Sequence, residues 1–175
     1  MSPEVHTLTL PGPMLRRGFW LYVWRVTTQK GEMLYVGRTG DSSSPHATAP
    51  YTRMGQHLGF AKASNSLRRL LLENGVTPED CAEFDLVSYG PIFAEVTSEE
   101  DADRAARMVQ HTPLRDTMAG LEKRLRDALD AAGYPVLNIV HSKKPLDTAR
   151  WAEVRTAFAA HFPRLDQLDE EAVAS

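Results

Sequence analysis

The chain has 175 residues, of which 42% are hydrophobic and 25% are charged, and its formal net charge is −3. These values are typical of one globular domain with a buried core and exclude a fibrous or disordered chain. No stretch of about 18 apolar residues is present and the N-terminus lacks a signal pattern, so we expect no membrane association. The lone cysteine, Cys81, excludes an intramolecular disulfide and a cysteine-rich zinc site, and it fits a cytoplasmic protein.

Positive charge is concentrated in the first part of the chain. Residues 1–72 hold nine Lys and Arg against three Asp and Glu, whereas residues 73–175 hold eleven against twenty. Such an asymmetry is compatible with a polyanionic partner, and the alternative is an accident of surface composition. The candidate phosphate contacts in this basic part are Arg16, Arg17, Lys62, Arg68 and Arg69.

The N-terminal part predicts an arm followed by a β-hairpin. Residues 1–15 contain three prolines and no clear period, which indicates an extended arm with one edge strand at residues 5–10. Residues 18–26 are almost continuously apolar, β-branched or aromatic, as expected of a central strand covered on both faces. A turn signal at residues 29–31 precedes a second apolar run at residues 33–39, so the two runs should pair as a hairpin.

The hairpin register decides which side chains share a face of the sheet. If Thr27 pairs with Glu32, then Tyr22 lies opposite Gly37, and Tyr35 is a diagonal neighbour of Tyr22 on the same face. A slip of one residue would send the two tyrosines to opposite faces.

The second strand ends in residue types that suit a phosphate ligand. Gly37 lacks the Cβ that would block a close approach to the backbone, and Arg38 supplies a planar fork of donors. Gly37, Arg38 and Thr39 are therefore candidate substrate contacts. The alternative is a core strand in which Gly37 only makes a turn.

Two short helices are predicted after a polar loop at residues 40–50. The first begins near Tyr51 and places Arg53 and His57, four residues apart, on one face. The second carries a leucine stripe and ends at Gly75.

A third strand and two further helices complete the central region. Residues 84–93 read as the strand, and a capping box at residues 97–100 opens a helix that runs to about His111. Pro113 then begins a new helix that ends at Gly133. The buried stripe of that helix is predicted to consist of Leu114, Met118, Leu121, Leu125 and Ala132.

Glu122 is the acidic residue closest to that buried stripe. At about 100° per residue it lies roughly 80° from the centre of the stripe, while Asp116, Asp127 and Asp130 point farther away. Glu122 could therefore extend over the packed residues toward a site on the sheet, and the alternative is a solvated glutamate. Because it lies outside the stripe, we expect Glu122→Ala to cost little stability.

The C-terminal part predicts an extended segment and one more helix. The segment runs from Pro135 past Asn138, the helix is capped by Asp147, and the acidic tail from Asp166 should fray. The order of strands and helices favours an α+β fold.

Taken together, these residues resemble the GIY-YIG nuclease family. The first family tripeptide matches Trp20-Leu21-Tyr22, with Trp20 where the family has glycine, and the second matches Tyr35-Val36-Gly37. The family's helical arginine falls on Arg53, and the histidine of some branches falls on His57.

The rest of the resemblance lies in the later helix and the segment after it. The metal-binding glutamate of the family falls on Glu122, and the asparagine that follows it falls on Asn138. Asn138 would hold the Glu122 helix in place and would not touch the substrate. The likeness covers roughly residues 18–140.

The resemblance implies a fold and a domain organisation. The expected fold is a small, three-stranded, mainly antiparallel sheet flanked by helices, with an added C-terminal helix. Residues 16–145 would form the nuclease domain, preceded by the arm at residues 1–15. Residues 146–175 would be a C-terminal helix and acidic tail packed on the same domain.

The resemblance also implies a reaction, the hydrolysis of DNA phosphodiester bonds, with RNA as an open alternative substrate. Glu122 would hold Mg²⁺ or Mn²⁺, and Arg53 would clamp the scissile phosphate. Tyr22 would act as the base, with His57 or Tyr35 positioning it or relaying the proton. A tyrosine can do this near neutral pH only if cationic neighbours favour the phenolate.

Three other functions compete with this interpretation. The main one is a binding module that keeps the fold and has lost hydrolysis, which Trp20 and the net negative charge support. A hydrolase of the GDS esterase type is disfavoured, because no histidine follows an aspartate by three residues. A phosphate-binding loop is rejected because its Gly-Lys-Ser/Thr motif is absent.

Overall fold

The computed structural model describes residues 3–42, 44–97 and 103–168. Within these ranges the chain forms a three-stranded antiparallel sheet of order β2-β1-β3 and four α-helices. The strands are β1 (Gly18–Thr28), β2 (Gly31–Arg38) and β3 (Glu83–Ala94); the helices are α1 (Pro50–Leu58), α2 (Ser66–Glu73), α3 (Arg104–Ala131) and α4 (Thr148–Ala159). The predicted α+β class, with a small antiparallel sheet and an added C-terminal helix, is confirmed.

The predicted hairpin register is confirmed as well. Thr27 pairs with Glu32 and Tyr22 pairs with Gly37, so Tyr22 and Tyr35 lie on one face of the sheet. The short turn between the two strands sets this pairing.

The sheet is covered on both faces, as the apolar run of β1 predicted. One face, with Phe19, Leu21 and Val23, packs on α3 and α4. The other face, with Tyr22 and Trp24, packs on α2 and on the apolar side of α1. The central strand is therefore sandwiched between two helical layers, and the two tyrosines face the layer that carries Arg53 and His57.

The prediction of a break at Pro113 was wrong. Helix α3 runs without interruption through Pro113. Proline removes one helical hydrogen bond, but the buried Met118, Leu121 and Leu125 hold the segment against the sheet. The predicted capping box reaches into residues 98–100, which lie outside the described ranges. None of the helices described combines the length and the apolar composition that a membrane span requires.

The two ends of the described chain differ from expectation. Residues 5–10 form no strand, since Val5 and Leu8 are 94% and 73% exposed and pair with no other strand there. Helix α4 is capped by Asp147, whose Oδ1 accepts from the Arg150 N–H at 3.0 Å, as predicted. The tail does not fray at Asp166, because Leu165 is fully buried in the core; residues 169–175 lie outside the described ranges.

Candidate functional site

The centre of the candidate site is a contact between β1 and α1. The phenolic oxygen of Tyr22 lies 2.7 Å from His57 Nε2, and the ring of Tyr35 lies 4.9 Å from the His57 ring, centroid to centroid. Tyr22 and His57 are both buried. The register of the hairpin puts the two tyrosines side by side, and the spacing on α1 brings the histidine onto them.

Gly37 makes this arrangement possible. A Cβ on Gly37 would lie 2.5 Å from the Tyr22 ring and 2.6 Å from its hydroxyl. The space above the glycine is therefore filled by Tyr22, whereas the sequence suggested that a ligand would approach the backbone there. Glycine is required at this position because the ring of the opposing residue lies flat across it.

The tyrosines are neutral phenols. Burial raises the pKa of Tyr22 well above its ordinary value, and this outweighs the opposing influence of Arg53 and Arg38. Burial likewise raises the pKa of Tyr35, although a hydrogen bond with Ser66 acts in the opposite direction. The cationic neighbours do not produce the phenolate that a tyrosine base acting alone would need.

His57 is a neutral imidazole. Burial, with the charge of Arg53 as a second cause, lowers its pKa from 6.5 to about 4. At neutral pH its Nε2 can therefore accept the hydrogen bond from Tyr22, which places the ring proton on Nδ1. Among the described residues, His57 Nδ1 is buried and has no hydrogen-bond partner.

Arg53 stands beside this pair on α1. Its guanidinium forms an ion pair with Asp41, and its Nη1 donates to Gln56 Oε1 at 3.2 Å. Its Nε is buried and has no partner among the residues that the structure describes. An unsatisfied guanidinium donor next to Tyr22 and His57 suits an anionic ligand such as a phosphate.

Glu122 extends toward the site from α3, where it lies beside the apolar stripe. Its Oε2 accepts from Arg38 Nε at 2.7 Å, and the two side chains are only 14% and 15% exposed. Burial raises the pKa of Glu122, and the charges of Arg38 and Arg53 oppose this shift. Arg38 also donates to the carbonyl of Arg115 at 3.0 Å, which fixes β2 to α3.

The expectation that Glu122→Ala costs little stability is incompatible with this pair. Removing one partner of a buried ion pair leaves the other charge uncompensated, at a cost of about 3 kcal/mol or more. Glutamine at position 122 would keep an acceptor for Arg38 and is the milder change.

The donor set permits Mg²⁺ only in a limited way. No group of three or more His, Cys, Asp or Glu side chains converges anywhere in the described part of the chain. Mg²⁺ keeps several waters and takes phosphate oxygens as ligands, so one carboxylate can suffice. Because Arg38 already contacts Oε2 of Glu122, the ion would be held through Oε1. Glu122 thus fits a weakly held ion that binds together with a phosphate.

Asn138 attaches the segment after α3 to the backbone of β2. Its side-chain amide donates to the Val36 carbonyl at 2.8 Å, and its Oδ1 accepts from the Val36 N–H at 2.9 Å. The backbone just before it pairs with Leu34 in the same direction as β2. The segment after α3 is thereby attached to the free edge of β2, close to the residues that form the site.

Thr39 and Trp20 belong to the framework of the sheet. Thr39 is fully buried; its hydroxyl donates to the Gly18 carbonyl at 2.5 Å and accepts from the Trp20 N–H at 2.9 Å. Thr39 is therefore not placed to contact a substrate. Trp20 packs over Gly90 of β3, where a Cβ would lie 2.9 Å from the indole. A glycine on the neighbouring strand makes room for the tryptophan.

Two of the predicted phosphate contacts, Arg68 and Arg69, lie on α2, and both are paired with carboxylates. Arg68 contacts Glu79 at 2.5 Å and is 15% exposed, while Arg69 contacts Glu73 at 2.7 Å and is 56% exposed. Arg69 also acts electrostatically on Tyr35, though it contributes less than burial does. Of the two, Arg69 is the one whose side chain remains accessible beside the site.

Asp41 is the site residue that sequence reasoning missed. It stands in the polar loop before α1, where a single aspartate has no periodic pattern to mark it. His111 of α3 was missed too; it is fully buried and its Nε2 lies 3.1 Å from the Gly40 carbonyl. The only sequence signal for His111, which contacts the loop next to Asp41, is that it has apolar neighbours on α3.

No protein-family model, no curated protein and no solved structure matches this chain.

Proposed function

We propose that this protein is a divalent-metal-dependent endonuclease that hydrolyses phosphodiester bonds of DNA. The observation that carries the proposal is the 2.7 Å contact between Tyr22 and His57, beside Arg53 and with Glu122 in the same electrostatic neighbourhood. Hydrolysis of a phosphodiester needs an activated water and positive charge on the phosphate. These residue types supply both.

The protonation states favour a relay over a tyrosinate base. The oxygen of neutral Tyr22 would accept a proton from the attacking water while its own proton passes to Nε2 of neutral His57. The water oxygen bonds to phosphorus, and the leaving 3′ oxygen takes the electron pair of the broken bond and a proton from solvent. His57 is a neutral imidazole at neutral pH, and in the tautomer that accepts from Tyr22 its Nε2 can take up that proton.

Arg53 would hold the scissile phosphate through its guanidinium donors. To do so, Arg53 would release Asp41 and bind phosphate oxygens instead. Its positive charge would therefore remain paired with an anion. Glu122 would hold Mg²⁺ or Mn²⁺, and the ion when bound supplies charge neutralisation at the leaving oxygen.

A second candidate is a nucleic-acid-binding module of the same fold that does not hydrolyse its ligand. The observation that favours it is the buried Arg38–Glu122 pair, because a carboxylate already neutralised by arginine binds a cation more weakly. The same experiment separates the two functions.

The test compares wild type with Glu122→Gln, Arg53→Ala and the control Asp130→Asn, which removes a 52% exposed carboxylate from α3. Each is incubated with plasmid and single-stranded DNA in Mg²⁺ and in EDTA. Wild type and Asp130→Asn should cleave only in Mg²⁺. Glu122→Gln should lose cleavage by about 100-fold or more yet bind DNA in EDTA, whereas Arg53→Ala should lose both.

Two results would contradict the endonuclease proposal. Cleavage that survives both Glu122→Gln and EDTA would indicate a contaminant or another mechanism. Binding of DNA by wild type without cleavage of any substrate would favour the binding module. Far-ultraviolet circular dichroism of each variant confirms that the comparison is made on folded protein.

A further inference from the structure

An exposed aromatic side chain follows the helix that carries Arg53 and His57. Phe60 is 79% exposed and begins a run of four exposed residues after α1, whereas phenylalanine is usually buried. It lies three residues after His57, so their Cα atoms are at most about 11 Å apart. The backbone of Phe60 is therefore close to that of His57 in the candidate site.

The backbone turns sharply just before Phe60. Helix α1 ends at Leu58, and Gly59 adopts an extended conformation with φ −71° and ψ −179°. A Cβ on Gly59 would lie 2.7 Å from the Gly55 carbonyl oxygen, so only glycine lets the chain pass this close to the last turn. Phe60, directly after this turn, is exposed to solvent.

Arg68 holds the Phe60 ring from one side. Its guanidinium carbon lies 4.2 Å from the ring centroid, within the range of a cation–π contact, and Glu79 fixes the guanidinium at 2.5 Å. Because one ring face is covered in this way and the side chain is still 79% exposed, the opposite face is open.

The surroundings of this open ring favour a nucleic acid strand over a protein partner. Lys62 is exposed in the turn that follows, and Arg69, next to Arg68, is 56% exposed and acts on Tyr35 in the site. An aromatic face beside positive side chains is the combination by which proteins hold an unpaired base and its flanking phosphates.

We propose that Phe60, supported by Arg68, is a stacking platform for an unpaired nucleobase of the substrate strand. The inference rests on the proposed function and specifies its substrate class, which is single-stranded or locally unpaired DNA. A fully paired duplex has no free base face to offer at this position.

The test measures binding in EDTA, so that cleavage does not interfere. Fluorescence anisotropy is recorded with oligo(dT) of roughly 15 nucleotides and with an abasic strand of the same length and charge. Phe60→Ala and Phe60→Leu should raise the Kd for oligo(dT) about 10-fold and leave the Kd for the abasic strand unchanged. Phe60→Trp should restore the wild-type affinity, and Leu72→Ala, at a 52% exposed apolar position on α2, is the control.

The outcomes distinguish this proposal from the proposed function. If wild type binds oligo(dT) and cleaves DNA while Phe60→Ala binds as tightly, the platform is overturned and the nuclease stands. If Phe60→Ala weakens oligo(dT) and abasic binding equally, base stacking is also overturned. If wild type binds neither strand, the platform is overturned, and cleavage of plasmid DNA then decides the proposed function separately.

Discussion

Burial decides the charge states of the residues at the candidate site. Tyr22 and Tyr35 keep their protons, His57 stays neutral with a pKa of about 4, and burial raises the pKa of Glu122. Each shift follows the same rule, that a group removed from water loses its preference for the charged form. The proton relay proposed for Tyr22 and His57 depends on this uniform effect.

The low pKa of His57 predicts a pH dependence of stability. In the unfolded chain His57 takes up a proton near pH 6.5, whereas in the folded chain it does so near pH 4. The unfolded state therefore binds more protons between these values, and the free energy of unfolding should fall by up to about 3 kcal/mol as the pH is lowered through this window.

The measurement compares urea unfolding of wild type and His57→Gln between pH 7 and pH 4. Glu122 contributes in the opposite sense, because its raised pKa lets the folded state gain protons first. Therefore only the difference in the free energy of unfolding between wild type and His57→Gln reports on His57. Parallel stability curves for wild type and His57→Gln would show that the buried imidazole is not the cause.

Gly37→Ala tests the packing of Tyr22 on β2. The new Cβ would come 2.5 Å from the Tyr22 ring, which has to move away from His57 or force the strands apart. We expect a loss of about 1–3 kcal/mol in the free energy of unfolding and a marked loss of cleavage. Gly55→Ala is the matched control on α1, since no atom lies within 4 Å of the added Cβ, and it should be neutral or slightly stabilising. A neutral Gly37→Ala would refute the packing argument.

At the level of elements, the site depends on how α3 and the segment after it are attached to β2. Arg38 links the end of β2 to Glu122 and to the Arg115 carbonyl, both on α3. Asn138 then pairs with both backbone groups of Val36. The Asn138 side chain thus bonds backbone groups at the edge of β2 that would otherwise be unpaired, as a fourth strand would do.

Asn138→Ala should weaken this attachment. The Val36 N–H and C=O would lose their partners, at a cost of about 1–3 kcal/mol in the free energy of unfolding. Hydrogen exchange at the Val36 amide should accelerate, while the amide of Val23 in the central strand keeps its protection. Asn138→Asp should not rescue, because a carboxylate cannot donate to the Val36 carbonyl. Unchanged exchange at Val36 in Asn138→Ala would mean that the amide contributes nothing to the edge.

On the scale of the whole molecule, folding neutralises much of the charge asymmetry of the sequence. Six arginines of the basic N-terminal part form ion pairs with carboxylates in the described part of the chain, and five of these partners come from outside residues 1–72. The pairs are Arg17–Glu95, Arg25–Asp85, Arg38–Glu122, Arg53–Asp41, Arg68–Glu79 and Arg69–Glu73. The surface offered to a polyanion is thus less positive than the sequence suggests.

This neutralisation predicts that removing acidic side chains strengthens DNA binding. Glu73→Gln would release Arg69, and both side chains are more than half exposed, so stability should change by less than about 1 kcal/mol. The affinity for DNA in EDTA should rise several-fold, with a steeper decline as salt is added. Asp130→Asn, which removes an exposed carboxylate from α3, controls for the change in net charge. Equal effects of the two substitutions would show that α2 is not the binding surface.

Features that depend on local order follow from the sequence alone. The turn at residues 29–31 and the two apolar runs beside it specify the register that brings Tyr22 over Gly37 and beside Tyr35. The helical spacing likewise puts Arg53 with His57 and places Glu122 at the edge of an apolar stripe. These features depend on residues close together in the chain, where side chains repeat every two residues in a strand and every 3.6 in a helix.

The partners of those side chains depend on tertiary packing. Arg38 meets Glu122 and Arg53 meets Asp41 because separate elements pack together, and no periodicity links the members of either pair. The continuation of α3 through Pro113 also depends on tertiary packing, because burial against the sheet outweighs the loss of one helical hydrogen bond. The pKa of His57 is likewise a property of the fold, because desolvation arises only when distant parts of the chain exclude water from the ring.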